Sequence, residues 1–220
     1  AGVTWTAPSS SSYGFSDSGY GLTTVESDAV NAYLPFTPVA GQIYTLSAGL
    51  DLTSAGSNPN NYPAGDFWMG LGFLSSPSVS GGGWVNSGAA ASPWVLSGYQ
   101  GANNAVFTGP GTTGGQGFGT GTTSGVNDYS IVLNTGSSLW SYQVYLTNSA
   151  YTNLLVGSSA SNPFSSNPTS ITAVGFEDGM ALAQVSDFSL TDVAVPEPAT
   201  LGLIGFGALG LLLLKRRKSV

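Results

Sequence analysis

All four basic residues of this chain stand side by side, Lys215-Arg216-Arg217-Lys218, close to the C-terminus. Ten of the eleven carboxylates precede Pro196, so residues 1–196 carry a formal charge of 0 − 10 = −10, with no lysine, arginine or histidine to pair any of them. Such a body cannot be held together by ion pairs, and its stability must come from apolar burial and backbone hydrogen bonds. Nor can it bind nucleic acid or an anionic lipid surface by neutralising phosphates, because those contacts need Lys and Arg. Cysteine is absent as well, which removes a disulfide framework, but a body of this length forms one domain with a sizeable core without one.

The composition points to strands. Charged residues are about 7% against a typical quarter, while aromatic and β-branched residues are well supplied between Gly/Ser/Thr/Asn clusters. No stretch of the body combines helical period with capping signals over twelve residues. Residues 41–52 alternate, with Tyr44, Leu46, Ala48, Leu50 and Leu52 on one face. Residues 67–74, FWMGLGFL, form a nearly continuous apolar strand whose glycines allow a close neighbour. DYSIVLN at 128–134 and LWSYQVYLT at 139–147 predict a hairpin closed by Thr135-Gly136-Ser137-Ser138, with Trp140, Tyr142, Val144 and Leu146 on one face. Further strands are expected at 3–6, 20–25, 93–96, 104–108, 151–157, 171–177 and 184–192, with 98–103 as a turn. Low-complexity loops are expected at 54–65, 75–92 and 109–125. The fold class is all-β: an antiparallel β-sandwich (jelly roll) of about 10–11 strands over residues 1–193, followed by a tail, 194–220, with a single transmembrane helix.

That tail has three parts. Val195-Pro196-Glu197-Pro198 leads into sixteen residues, 199–214, with no charge and one hydroxyl, Thr200, and the basic cluster follows. As a helix the apolar run is about 24 Å long, short for a bilayer but extensible by its flanking residues. Pro198 suits the first helical turn, Glu197 sits at the positive end of the dipole, and the cluster at 215–218 is a cytoplasmic membrane stop.

VPEPATLGLIGFGALGLLLLKRRK resembles the PEP-CTERM sorting tail of Gram-negative bacteria. The resemblance implies export, recognition of the Pro-Glu-Pro segment by an exosortase, removal of the tail, and delivery to the cell surface or the exopolysaccharide matrix. A signal peptide removed ahead of Ala1 is expected with it. The strand patterns PVAGQIYTLSAGLDL, FWMGLGFL, YSIVLNTGSSLWSYQVYL, ITAVGFEDG and QVSDFSLTDV resemble jelly-roll modules of the concanavalin A-like and carbohydrate-binding class. They imply a fold and not an activity.

Candidate chemistry in the body is sparse. Without His, Cys or Lys before the tail, Ser-His-Asp and Cys-His nucleophiles, histidine metal sites and Schiff bases are excluded. Glu26 with Asp28 and Glu177 with Asp178 are the glutamate-containing pairs, and neither continues into the spaced glutamate pattern of sandwich glucanases, so no catalytic residue is assigned and a glycosidase is the remotest reading. No cofactor is required. Calcium is the ion such oxygen-rich loops suit, with Asp51, Asn60 and Asp66, or Asn127 with Asp128, as candidate ligands beside their plain reading as turn and strand-end residues. Trp84, Trp94 and Tyr99, in polar loop-rich segments, are the candidate rings for stacking on a sugar, against the alternative of covering the core. The expectation is a non-enzymatic structural or adhesive component, with exosortase and membrane as partners, polysaccharide binding as the alternative, and self-association through sheet edges as a further route.

Overall fold

The computed structural model describes residues 5–6, 15–17, 22–24, 30–51, 67–75, 93–100, 103–109, 126–149, 152–156, 162–164, 166–168, 171–179 and 184–195. They form thirteen strands: β1 (Phe15–Asp17), β2 (Leu22–Thr24), β3 (Val30–Pro35), β4 (Gln42–Asp51), β5 (Phe67–Ser75), β6 (Trp94–Gln100), β7 (Asn103–Gly109), β8 (Val126–Asn134), β9 (Ser141–Thr147), β10 (Leu154–Val156), β11 (Asn162–Pro163), β12 (Ile171–Gly179) and β13 (Gln184–Ala194). The larger sheet runs β1-β2-β13-β4-β8-β9, with β10 and β11 sharing the outer edge of β9, and the smaller runs β3-β12-β5-β6-β7. Every named pair is antiparallel, so the expected sandwich is the observed one.

The core follows from alternation on the larger sheet. Tyr44, Leu46, Ala48 and Leu50 of β4, Tyr129, Ile131 and Leu133 of β8, and Tyr142, Val144 and Leu146 of β9 are buried, while their alternates, apart from the buried Gly49, are partly or fully exposed. They meet Met69, Leu71 and Phe73 of β5, Val95 of β6 and Val174 and Phe176 of β12 in one cluster. Each fully buried side chain of this size is worth about 1.5–3 kcal/mol. β5 differs, being buried on both faces from Met69 to Ser75, which is why its sequence reads as a run and not as an alternation.

Rings finish the core at its margins. Phe36 stands 5.0 Å from Tyr44 and 5.6 Å from Phe73, and Trp5 is 4.7 Å from both Phe176 and Phe188. Burial pushes the Tyr142 phenol up to about 12.

The closing strand needs a correction of phase. Val185 pairs with Leu50 and Ser186 with Gly49, but Ser189 pairs with Ser47, so Asp187 and Phe188 oppose Ala48 alone in a β-bulge. Asp187 takes φ 51° to make it. The extra residue lets Val185, Phe188 and Leu190 all join the core, which simple alternation forbids.

β3 was not expected, and neither were β1 and β11. β3 ends in Pro35, a poor strand residue, yet the register makes it harmless. Phe36 N–H donates to Thr172 on β12, whereas Tyr33 N–H faces away from β12 and donates to Thr6 at 2.9 Å. Pro35 shares the parity of Tyr33, so its missing N–H takes nothing from the β3–β12 ladder. The expected turn at 98–103 is also replaced: Gly98–Gln100 continue β6 and pair with Asn103–Ala105, leaving a tighter hairpin. Leu139 and Trp140 stand outside β9; of the expected strand 3–6, residues 3 and 4 lie outside the described residues, and Thr6 forms an isolated bridge to Tyr33.

Candidate functional site

The last strand ends where the tail begins, and the junction is tied into the sandwich. Ala194 pairs with Gln42 at the end of the β13–β4 ladder, and Val195 N–H donates to the Gly41 carbonyl at 2.9 Å. Gly41 occupies the turn into β4 at φ 82°, a left-handed conformation that glycine adopts without penalty. Its own N–H donates to Thr135 O at 3.0 Å, and Thr135 N–H returns a bond to Gln42 O at 2.8 Å.

Thr135 is the knot of this arrangement. Its buried hydroxyl accepts the Gln42 N–H at 2.9 Å and donates toward Val39 O at 2.7 Å or Gln42 O at 2.9 Å. Val39 N–H in turn donates to the Tyr44 hydroxyl at 2.8 Å. The Val195 side chain lies over Gly136, where an added Cβ would come within 2.9 Å of Val195 Cβ and Cγ1. The β13–β4 ladder ends at Ala194, and the Val195–Gly41 bond stands immediately before the Pro-Glu-Pro segment of the sequence.

Residues 194–218 match the PEP-CTERM protein-sorting motif. The chain carries an exosortase sorting signal. With it the chain is an exported, exosortase-processed protein of Gram-negative bacteria, and the PEP-CTERM motif shares its first residue, Ala194, with the last strand among the described residues. A comparison with curated sequences finds no match. Among solved structures, the body is similar to lectin II from Ulex europaeus, with a TM-score of 0.50 at 12% identity over 86% of this chain and 92% of the lectin. It is also similar to lectin UEA-II complexed with galactose (0.49, 11%, 86% and 92%) and to alginate lyase Aly36B (0.48, 10%, 84% and 88%). At these identities the likeness is one of fold, the concanavalin A-like jelly roll.

The residues singled out for binding fare differently. Trp94 opens β6 opposite Gly72 and is only 4% exposed, so the reading of it as a ring offered to a sugar gives way to a buried position. Its loop-rich flanks suggested exposure, but pairing with both β5 and β7 draws it into a sheet. Tyr99 lies in β6 between Phe67 and Asn104, and Trp84 lies outside the described residues. Asp51 closes β4, half-buried, between Val126 and Gln184, while Asn60 and Asp66 lie outside the described residues. Asn127 is buried on the core side of β8 and accepts a bond from Asn148 at 3.1 Å, whereas Asp128 is exposed on the opposite face. Among the described residues no three acidic or other ligating side chains gather for a metal. The expected helix 199–214 lies outside the described residues, among which no helix is long and apolar enough to cross a membrane.

The Thr135–Gly41–Val195 knot escaped the sequence reading because it joins positions far apart in the chain. Glu177, singled out there only as half of a carboxylate pair, is buried on β12 beside Asn31 of β3 and faces away from the larger sheet, since its neighbours Val174 and Phe176 face it.

Proposed function

We propose that the body is a non-enzymatic adhesive or structural component, held briefly at the inner membrane by its tail and then displayed at the cell surface or in the polysaccharide matrix. The observation that carries this reading is the sorting motif continuing, without a spacer, from the closing strand of a sandwich. An intact tail keeps the body at one membrane, and processing near Pro196–Pro198 frees it. A body without histidine, cysteine or lysine supports a binding role over covalent or acid–base catalysis. The test is mass spectrometry of the native C-terminus in cells with and without an exosortase. Loss of residues beyond the Pro-Glu-Pro region only when the enzyme is present supports the reading, and a full-length C-terminus in both strains refutes it.

The likeness to a lectin fold favours a second reading, in which adhesion is carbohydrate binding. Polysaccharide pull-down with Trp84→Ala and Tyr99→Ala separates the two. Loss of binding in either variant supports a sugar site there, and unchanged binding in both removes these positions.

A further inference from the structure

We propose that the end of the sandwich from which the tail departs is a membrane-facing surface, on which the unprocessed protein stands against the lipid headgroups. The proposal rests on the reading of residues 199–214 as a membrane-crossing helix. Three observations carry it.

The first is chain length. Val195 is fixed to Gly41, and only Pro196, Glu197 and Pro198 separate it from the apolar run at Ala199. Four Cα steps span at most about 14 Å fully extended. The headgroup layer on one side of a bilayer takes up roughly 5–8 Å of that distance. With Ala199 at the edge of the hydrocarbon, the loops around Gly41 and Gly136 stand within about 10 Å of the headgroups. Three residues of tether set the limit on how far the body can stand off.

The second is the surface itself. Four large apolar side chains are exposed among the described residues: Val39 at 63%, Val193 at 66%, Leu139 at 42% and Val126 at 43%. Three of them share the tail end. Val39 O meets the Thr135 hydroxyl, Val193 pairs with Ile43, and Leu139 lies in the β8–β9 loop that begins at Thr135. Val126 alone is at the opposite end of the sheet, paired with Asp51.

The third is charge. The described carboxylates gather away from the tail: Asp51 and Asp128 at the far end of β4 and β8, and Asp187 in the bulge opposite Ala48. Glu177 and Asp178 lie five and six residues along β12 from Thr172, the rung that binds Phe36, and the register sets Asp17 level with Leu22 and hence with Val185. Among the described residues, Asp192, opposite Tyr44, is the one carboxylate near the tail end, and Glu197 follows in the tether itself. The loops there, 36–41 and 135–140, contain no charge. The body has no basic residue with which to hold headgroup phosphates, so the tether supplies proximity, the apolar tips meet the interface, and the acidic end points away from an anionic surface.

The absence of cysteine makes the test direct. Full-length chains carrying Val39→Cys, Leu139→Cys, Val193→Cys or Val126→Cys are labelled with bimane and reconstituted into phosphatidylethanolamine/phosphatidylglycerol vesicles, with and without brominated lipid. Flotation reports insertion, and quenching reports nearness to the bilayer. The expected result is co-flotation, with labels at 39, 139 and 193 quenched several-fold more than the label at 126. Co-flotation with equal quenching at all four positions overturns the proposal while leaving the tail reading intact. Chains that do not float overturn the membrane-crossing reading, and the proposal falls with it. Shielding at 39 and 139 that requires added exosortase overturns the lipid assignment in favour of a protein surface.

Discussion

Replacing Thr135 by valine removes one oxygen from the knot that ties the sandwich to its tail. The shape of the side chain is nearly kept, but the Gln42 N–H loses its acceptor at 2.9 Å, and the Val39 carbonyl loses its donor at 2.7 Å. The Thr135 main-chain bonds to Gly41 and Gln42 remain. Each buried group left without a partner costs about 1–3 kcal/mol, and because both lie partly buried the lower half applies, for a total of about 2–4 kcal/mol. In a domain of this size, a loss of that kind lowers Tm by about 4–16 °C. Thr135→Ser keeps the hydroxyl and removes one methyl, so it should cost roughly 1 kcal/mol. Urea unfolding of the full chain in mild detergent, followed by tryptophan fluorescence, measures both variants, with an unchanged m-value expected. A valine variant within about 0.5 kcal/mol of the parent would refute the reasoning, and so would a serine variant as damaged as the valine one.

The remaining predictions concern neighbouring features. Gly136→Ala drives a Cβ to within 2.9 Å of Val195 Cβ, so amide exchange at Val195 should accelerate at least about ten-fold while Leu46 keeps its protection. Gly49→Ala places a Cβ 2.6 Å from Ser186 Oγ and 2.8 Å from Val126 Cγ1, and should destabilise by about 1–3 kcal/mol in urea titrations. Adding Ser186→Ala should recover part of that loss, and strict additivity of the two changes would count against the close approach. For Tyr142 burial pushes the folded phenol up to about 12 from the ordinary tyrosine value of about 10, so the unfolded chain releases its proton first. Its contribution to stability is therefore complete below pH 10 and is lost as the pH rises toward 12, and comparison of urea midpoints for the parent and Tyr142→Phe should show the variant free of that part of the alkaline decline.

Much of the sandwich was legible because its strongest strands alternate. β4, β8 and β9 each bury one face, so Tyr44, Leu46, Ile131, Leu133, Val144 and Leu146 declare themselves by spacing. β3 was not legible, since its fitness as a strand depends on which way Pro35 lacks a donor, and only the pairing partner decides that. Trp94 was misplaced for a related reason: flanking loop residues suggested exposure, while pairing on both sides of β6 placed it under cover. The bulge at Asp187 hid the phase of β13 in the same way.

The linear sequence by itself determined the sorting signal and the charge inventory. A signal read as an extended segment is encoded in consecutive residues, Pro196-Glu197-Pro198 with its apolar run and basic stop, and a body without bases needs no structure to exclude ion pairs. Only the tertiary structure decided how that signal is mounted. The knot joins Val39, Gly41, Thr135 and Val195 through hydrogen bonds, of which Thr135 to Val39 crosses 96 positions and Val195 to Gly41 crosses 195 − 41 = 154, and no local pattern announces contacts made by chain closure. It is this closure, and not composition, that fixes Val195 to the body and leaves three residues between a rigid sandwich and the apolar run.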